Sequence, residues 1–198
     1  EIIIATTDST IDDDLVEHLD NLGFPSFRGS ENDVLERFFL AAEEFNAEAI
    51  VRITGDCPFI DPQLVDKMID EYRNTNLDYI SNIDPPTFPD GLDIEIFSME
   101  SFRIANNLAN SDYDREHVTP IFRNSDKFRT KCIQSDEDFS HLRLTLDEQS
   151  DFELIQRINE NFYPRDDFTW EEIVKLSLLK PEIFEINNHI KRNKGSKL

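Results

Sequence analysis

Glycine is scarce in this chain, with five in 198 residues where about 7% is usual, so each one is expected to answer a backbone demand. Cysteine is scarcer still. Cys57 and Cys132 lie far apart with no Cys-x-x-Cys spacing, which excludes a disulfide framework and a cysteine zinc cluster and fits a reducing cytoplasm. Basic residues are few, 20 Lys and Arg against 42 Asp and Glu for a formal charge of −22. That balance argues against a nucleic-acid duplex or an anionic membrane as partner, and an anionic small ligand would need a metal ion or a local cluster of arginines. Long apolar runs are missing, so no stretch approaches the roughly 18 residues needed to span a bilayer. The opening Glu1-Ile-Ile-Ile-Ala-Thr-Thr7 lacks the basic region of a signal peptide. What is present is 38% hydrophobic residues, with 16 Phe, and 31% charged ones. Such a composition suits a globular fold with one core, which at this length needs no staple.

Residues 2–7 form an apolar run ending in small polar residues, as a buried parallel strand does. Ser9 or Thr10 can cap a helix reaching Leu22, where Gly23 ends it. A short strand fits 25–28, and a helix fits 31–46 because Val34, Leu35, Phe38, Phe39, Ala42 and Phe45 recur at helical spacing. Residues 49–54 read as a strand that ends in Gly55-Asp56-Cys57-Pro58. Asp61-Pro62 then opens a helix, with Asp at the cap and Pro in the first turn. Further strands are expected at 77–83, 92–97, near Lys131 and at 142–146, with helices over 99–110, 113–124, 151–161 and 169–179. The basic tail after Ile190 is expected to fray. Strands alternating with helices indicate an α/β fold, a mostly parallel sheet flanked by helices, in a single domain over residues 1–198. In such sheets ligands bind beyond the carboxyl ends of the strands.

Several side chains at those ends carry candidate chemistry. Asp56, held between Gly55 and Cys57-Pro58, and Asp147, which follows the 142–146 segment, together make a hard oxygen site suited to Mg²⁺. Each could equally cap a helix, and spacing alone leaves that open. Arg28-Gly29-Ser30 precedes a helix whose N-terminus suits a polar ring or an anion, while Ser30 with Asp33 also resembles a capping pair. His117 and His141 have ordinary readings as surface or half-buried residues. Asp93 and Glu95 alternate with Leu92, Ile94 and Ile96, which puts both on the face away from the apolar one, an arrangement that plain solvent exposure also explains.

Five stretches in order, Arg28-Gly-Ser-x-x-Asp-Val-Leu-x-Arg37, Val51-Arg-Ile-Thr-Gly-Asp-Cys-Pro-Phe-Ile-Asp61, Pro89-Asp-Gly-Leu-Asp-Ile-Glu95, Arg115-Glu-His-Val-Thr-Pro120 and His141-Leu-Arg-Leu-Thr-Leu-Asp147, closely resemble the SpsF-like, spore-coat polysaccharide branch of the cytidylyltransferases. Relatives in the wider family activate sialic acid and the octulosonate of lipopolysaccharide as CMP-sugars. The resemblance covers nearly the whole chain. It implies a nucleotidyltransferase fold of the glycosyltransferase-A type, with CTP as donor, Mg²⁺ as cofactor, a sugar or sugar acid as acceptor and a homodimer as a possible assembly. By the same resemblance Asp56 and Asp147 are catalytic metal ligands, Asp147 opening an Asp-x-x-x-Asp helix start. Arg28, Gly29, Ser30, Thr54 and Gly55 line the nucleotide, and Asp90, Asp93, Glu95, Arg115 and His117 form the wall that receives the sugar. The family's usual opening, Ala-Arg-x-x-Ser-x-Arg-Leu-Pro-x-Lys, has no counterpart here. The expectation is therefore a fold lacking the first strand and phosphate loop, an N-terminally truncated and inactive piece of an enzyme of polysaccharide biosynthesis. Two other readings stand beside it. One is a non-catalytic nucleotide- or sugar-binding module. The other is a metal-dependent glycosyltransferase, which predicts an Asp-x-Asp-like motif at a strand end, and Gly55-Asp56-Cys57 lacks the second Asp.

Overall fold

Local capping signals set most of the elements in the computed structural model, which describes residues 1–192. Strand β1 (Ile4–Thr7) is followed by a 3-10 turn whose cap, Ser9, accepts from the Ile11 amide, and then by α1 (Asp13–Leu22). Gly23 ends α1 in the left-handed region at φ 77°, which lets its amide close back on Leu19 and Asp20. Strand β2 (Ser26–Gly29) leads to α2 (Val34–Glu44), whose cap is Asp33 rather than Ser30. Ser30 accepts instead from the Asp33 amide at 3.0 Å. Strand β3 (Ala49–Arg52) precedes α3 (Pro62–Arg73), where Asp61 accepts from the amides of Gln63 and Leu64.

After α3 come β4 (Tyr79–Ser81), β5 (Glu95–Ser98), α4 (Met99–Leu108), α5 (Asp112–His117), α6 (Pro120–Asn124) and β6 (Thr130–Cys132). The single helix expected over 113–124 is broken, because Pro120 brings no amide hydrogen and Val118 turns to φ 69° ahead of it. The chain closes with α7 (Gln149–Phe162), α8 (Trp170–Leu179) and α9 (Pro181–Phe184).

The architecture is α/β, with its sheets mixed in direction. β1 and β2 pair in parallel, Ile4 opposite Ser26 through Thr7 opposite Gly29. The four-stranded sheet has the order β3-β5-β4-β6. In it β5 runs against β3: the Met99 amide bonds the Glu48 carbonyl at one end, and Arg52 pairs with Glu95 at the other. The apolar run at the start is only half buried, and Ile2 is exposed.

Segment 142–146 is not the strand its alternation suggests. Leu142 and Leu144 are buried as expected, but the backbone meets loops instead of a strand. Arg143 forms one isolated bridge with Asp90, and the Leu146 amide bonds the Asp56 carbonyl at 2.9 Å. With no neighbouring extended chain to continue the ladder, pairing stops after one residue.

The chain divides into two compact units, one of Glu1–Ile50, Asn76–Tyr79 and Phe97–Thr130, the other of Val51–Thr75, Ile80–Ile96 and the chain from Lys131 onward. The first is built on an aromatic cluster in which the Phe122 ring lies 5.0 Å from Tyr79, 5.0 Å from Phe97 and 4.8 Å from Phe128. In the second, Leu64, Met68, Ile80, Leu92, Ile94 and Ile96 form one apolar cluster, and Leu142, Leu144, Leu154, Ile158 and Ile173 form another. Of the basic tail, Arg192 is tied down, donating to Asp93 at 2.7 Å and to the Phe88 carbonyl at 3.3 Å, and residues 193–198 lie outside the described residues.

Candidate active site

The loop after β3 delivers Thr54, Gly55, Asp56 and Cys57 in succession. The Thr54 hydroxyl donates to Asp56 Oδ1, so this threonine orients the carboxylate two residues on. Cys57 is buried beside it, and burial pushes its thiol up to about 12, which leaves it protonated and unfit as a nucleophile. A Cβ placed on Gly55 would meet nothing within 4 Å. The glycine therefore answers no demand of the chain itself and faces open space beside Asp56.

The main chain of Asp56 is docked on the segment leading to Asp147. Its carbonyl accepts from the Leu146 amide at 2.9 Å and from the Thr145 hydroxyl at 3.1 Å. Two residues 91 positions apart in the chain are thereby brought within one residue of direct backbone pairing. The Asp147 side chain is 52% exposed and accepts from Arg143 Nη2 at 2.7 Å through Oδ2.

Asp90 is held by the same segment: its amide bonds the Leu142 carbonyl at 2.9 Å and its carbonyl accepts from the Leu144 amide at 2.7 Å. Gly91, at φ 97°, makes this possible, since a Cβ there would lie 2.6 Å from the Leu144 carbonyl carbon and the Thr145 nitrogen. Burial raises the Asp90 carboxyl against the lowering pull of Arg192 and Arg143, and the charges of Asp147 and Asp56 raise it further. Asp93, a third exposed, is pushed up to about 6 by burial, opposed by Arg192 and reinforced by Asp90 and Glu95. Glu95 is 2% exposed and paired with Arg52, so it is closed off from solvent where alternation alone allowed simple exposure.

Thr54, Gly55, Asp56, Asp90, Asp93, Glu95 and Asp147 all fall in the second unit. Arg28, Gly29, Ser30, Arg115 and His117 fall in the first. There Arg28 donates to the carbonyls of Thr7 at 3.0 Å and Ser9 at 2.7 Å and to Asp13 at 2.7 Å, shaping the turn after β1. Arg115 forks onto Asp33 with bonds of 2.6 to 2.9 Å and reaches Asn106 at 2.7 Å. The His117 ring stands edge-on to Tyr113 with centroids 4.5 Å apart. Gly29 packs tightly, its position 3.0 Å from Arg37 Cγ once a Cβ is added.

Sequence reasoning passed over Arg143, Asn187 and Arg192, and met Asp151 only as the second Asp of the Asp-x-x-x-Asp helix start. Arg143 carried a signal, a cation set between two leucines of an apolar run. Asn187 and Arg192 carried none, because their partners lie between 36 and 104 positions away. Among the described residues no group of three or more His, Cys, Asp or Glu is arranged to hold a metal ion unaided. Asp56 and Asp147 offer the one or two hard oxygen donors with which Mg²⁺ is usually held, water and ligand phosphates completing its octahedron.

The chain matches the family model described as cytidylyltransferase over residues 1–190. It is 34% identical to the Methanocaldococcus jannaschii protein MJ1063 over 195 residues, 97% of this chain and 79% of that protein. It is also 34% identical to the spore coat polysaccharide biosynthesis protein SpsF of Bacillus subtilis over 185 residues, 91% of this chain and 76% of that one. A solved cytidylyltransferase from Leptospira borgpetersenii superposes with a TM-score of 0.87 at 31% identity, over 99% of this chain and 80% of its own.

Proposed function

This chain belongs to the cytidylyltransferase family, whose model matches residues 1–190 and lends no support to the expected inactivity, and from that premise we propose that it transfers CMP from CTP to a hydroxyl of a sugar or sugar acid, with pyrophosphate leaving, for the assembly of a surface polysaccharide. The acceptor oxygen attacks the α-phosphorus. The bond from that phosphorus to the oxygen bridging to the β-phosphorus breaks, and pyrophosphate departs with the electron pair. The acceptor's proton goes to a carboxylate of the acceptor side or to water. The polysaccharide context rests on the similarity to the spore-coat protein.

The observation that supports the reading is the docking of the Asp56 carbonyl on Thr145 and Leu146, which sets the main chain of Asp56 beside that of the residue preceding Asp147. These two residues would hold Mg²⁺. When bound, the ion neutralises charge developing on the phosphate oxygens. Thr54 fixes the direction of Asp56, and the open space at Gly55 leaves room for a phosphate to approach it. Asp90 and Asp93 form the acceptor side.

Pyrophosphate release, followed with each of the four nucleoside triphosphates against a panel of neutral and acidic sugars in the presence of Mg²⁺, tests this. Release is expected with CTP and a subset of the sugars, and a fall of at least about 100-fold in Asp56→Asn, the usual scale for losing an electrostatic contact to the transferring group. Preference for another triphosphate, or undiminished release by Asp56→Asn, would overturn the reading.

A further inference from the structure

Next to Asp147 lies a buried ionic assembly. Arg143 is 8% exposed on its side chain, and its guanidinium serves three carboxylates. Nε donates to Asp151 Oδ1 at 3.0 Å, Nη2 to Asp151 Oδ2 at 2.9 Å and to Asp147 Oδ2 at 2.7 Å, and Nη1 to Asp90 Oδ2 at 3.2 Å. Asp151 is 0% exposed. Besides Arg143 it accepts from Asn187 Nδ2 at 2.8 Å, from the Asp147 amide at 3.1 Å and from the Glu148 amide at 3.0 Å. Asn187 also donates to the Arg143 carbonyl at 3.1 Å.

Burying a charged pair costs several kcal/mol of desolvation, and well-packed apolar residues in its place are often as stable. Stability alone thus gives no reason for this assembly, whereas geometry does. Asp147 is gripped twice by the same pair: its amide by Asp151 and its Oδ2 by Arg143. With half of its side chain in solvent, Asp147 has little packing to choose its rotamer. Holding Oδ2 against a buried guanidinium restricts the directions open to Oδ1.

We propose that Arg143, anchored by Asp151 and Asn187, is the positioning residue that sets the direction of the Asp147 carboxylate for a divalent cation. The inference rests on the reading that Asp147 is a metal ligand. A lysine at 143 would keep the charge but, with three donors on one nitrogen, could not reproduce the four bonds that Arg143 spreads over three nitrogens, two of them forked onto Asp151.

The test is Mn²⁺ binding as a stand-in for Mg²⁺, followed by loss of the free-ion electron paramagnetic resonance signal with CTP present, together with thermal melting of the same samples. Asp147→Asn should weaken Mn²⁺ binding; if it does not, the metal reading fails and the positioning role with it. If it does, Arg143→Lys should weaken Mn²⁺ binding by about 10- to 100-fold, the usual effect of losing a partner behind a metal ligand. Unchanged Mn²⁺ affinity in Arg143→Lys, even with a lower melting temperature, overturns the positioning role alone. Should Arg143→Lys fail to fold, Asn187→Ala decides. That residue touches Asp151 and the Arg143 carbonyl but neither metal-facing carboxylate, and its affinity should drop severalfold, an unchanged value again overturning the role.

Discussion

Asp93 and Asp151 belong to one chain of alternating carboxylates and guanidinium groups, Asp151 to Arg143 to Asp90 to Arg192 to Asp93, yet they hold their protons with opposite strength. Burial acts to raise both. At Asp151 the bonds from Arg143, Asn187 and the amides of Asp147 and Glu148 outweigh burial and hold the carboxyl at about 2. At Asp93 burial wins, and the value is about 6. The consequences for stability have opposite signs. Asp151, depressed in the folded state, contributes stability that is present above the unfolded value near 3.8 and is lost as pH falls through about 2; the contribution is on the order of 2 kcal/mol. Asp93, raised in the folded state, contributes stability that is fully present below about 3.8 and is lost as pH rises through about 6. With a third of this side chain in solvent, screening reduces that contribution to roughly 1 kcal/mol. Carboxyl carbon chemical shifts followed from pH 1.5 to 8 should show the Asp93 midpoint near 6 and the Asp151 midpoint near 2; an Asp93 midpoint at or below 4 would contradict the burial argument.

At the scale of elements, the segment 142–146 and the turn at 89–92 position the site without belonging to any sheet ladder. Gly91 is where they touch, and the Leu144 and Thr145 backbone leaves it no room for a side chain. Gly91→Ala is therefore expected to cost roughly 3 kcal/mol in urea unfolding, from the strained positive φ together with the clash. Because the same contact carries the Asp90 and Arg143 bridge, the variant should also lose transfer activity even where it remains folded. A cost under about 0.5 kcal/mol would show that the two segments can separate freely. In the first unit Phe122 touches three other aromatic rings, and Phe122→Ala should lose about 3 to 5 kcal/mol, read by the same unfolding measurement.

For the molecule as a whole, the formal charge of −22 is a standing repulsion. Added monovalent salt screens it, and at 0.5 M the screening length is well under 10 Å. The melting temperature is expected to rise by several degrees between 20 mM and 0.5 M NaCl. A fall would mean that the ion pairs, such as Arg115 with Asp33 and Arg165 with Glu172, outweigh the net repulsion. No helix among the described residues is long and apolar enough to cross a membrane.

Most of the order of strands and helices, the caps at Ser9 and Asp61 and the stop at Gly23 were legible in the sequence. These signals act between residues a turn or two apart, so neighbours encode them. The break at Val118 was less visible than Pro120 made it, since the buried valine looked like one more apolar residue of a continuing helix. Segment 142–146 has the alternation of a strand, but a strand exists only where another extended chain lies beside it, and here only the loops carrying Asp90 and Asp56 do. The alternation around Glu95 left plain solvent exposure open because Arg52, its partner, stands 43 positions away. Which arginine meets which carboxylate, and hence which carboxylate is held, raised or lowered, is decided only when the chain returns on itself, because the Coulomb and desolvation energies involved depend on distances in space.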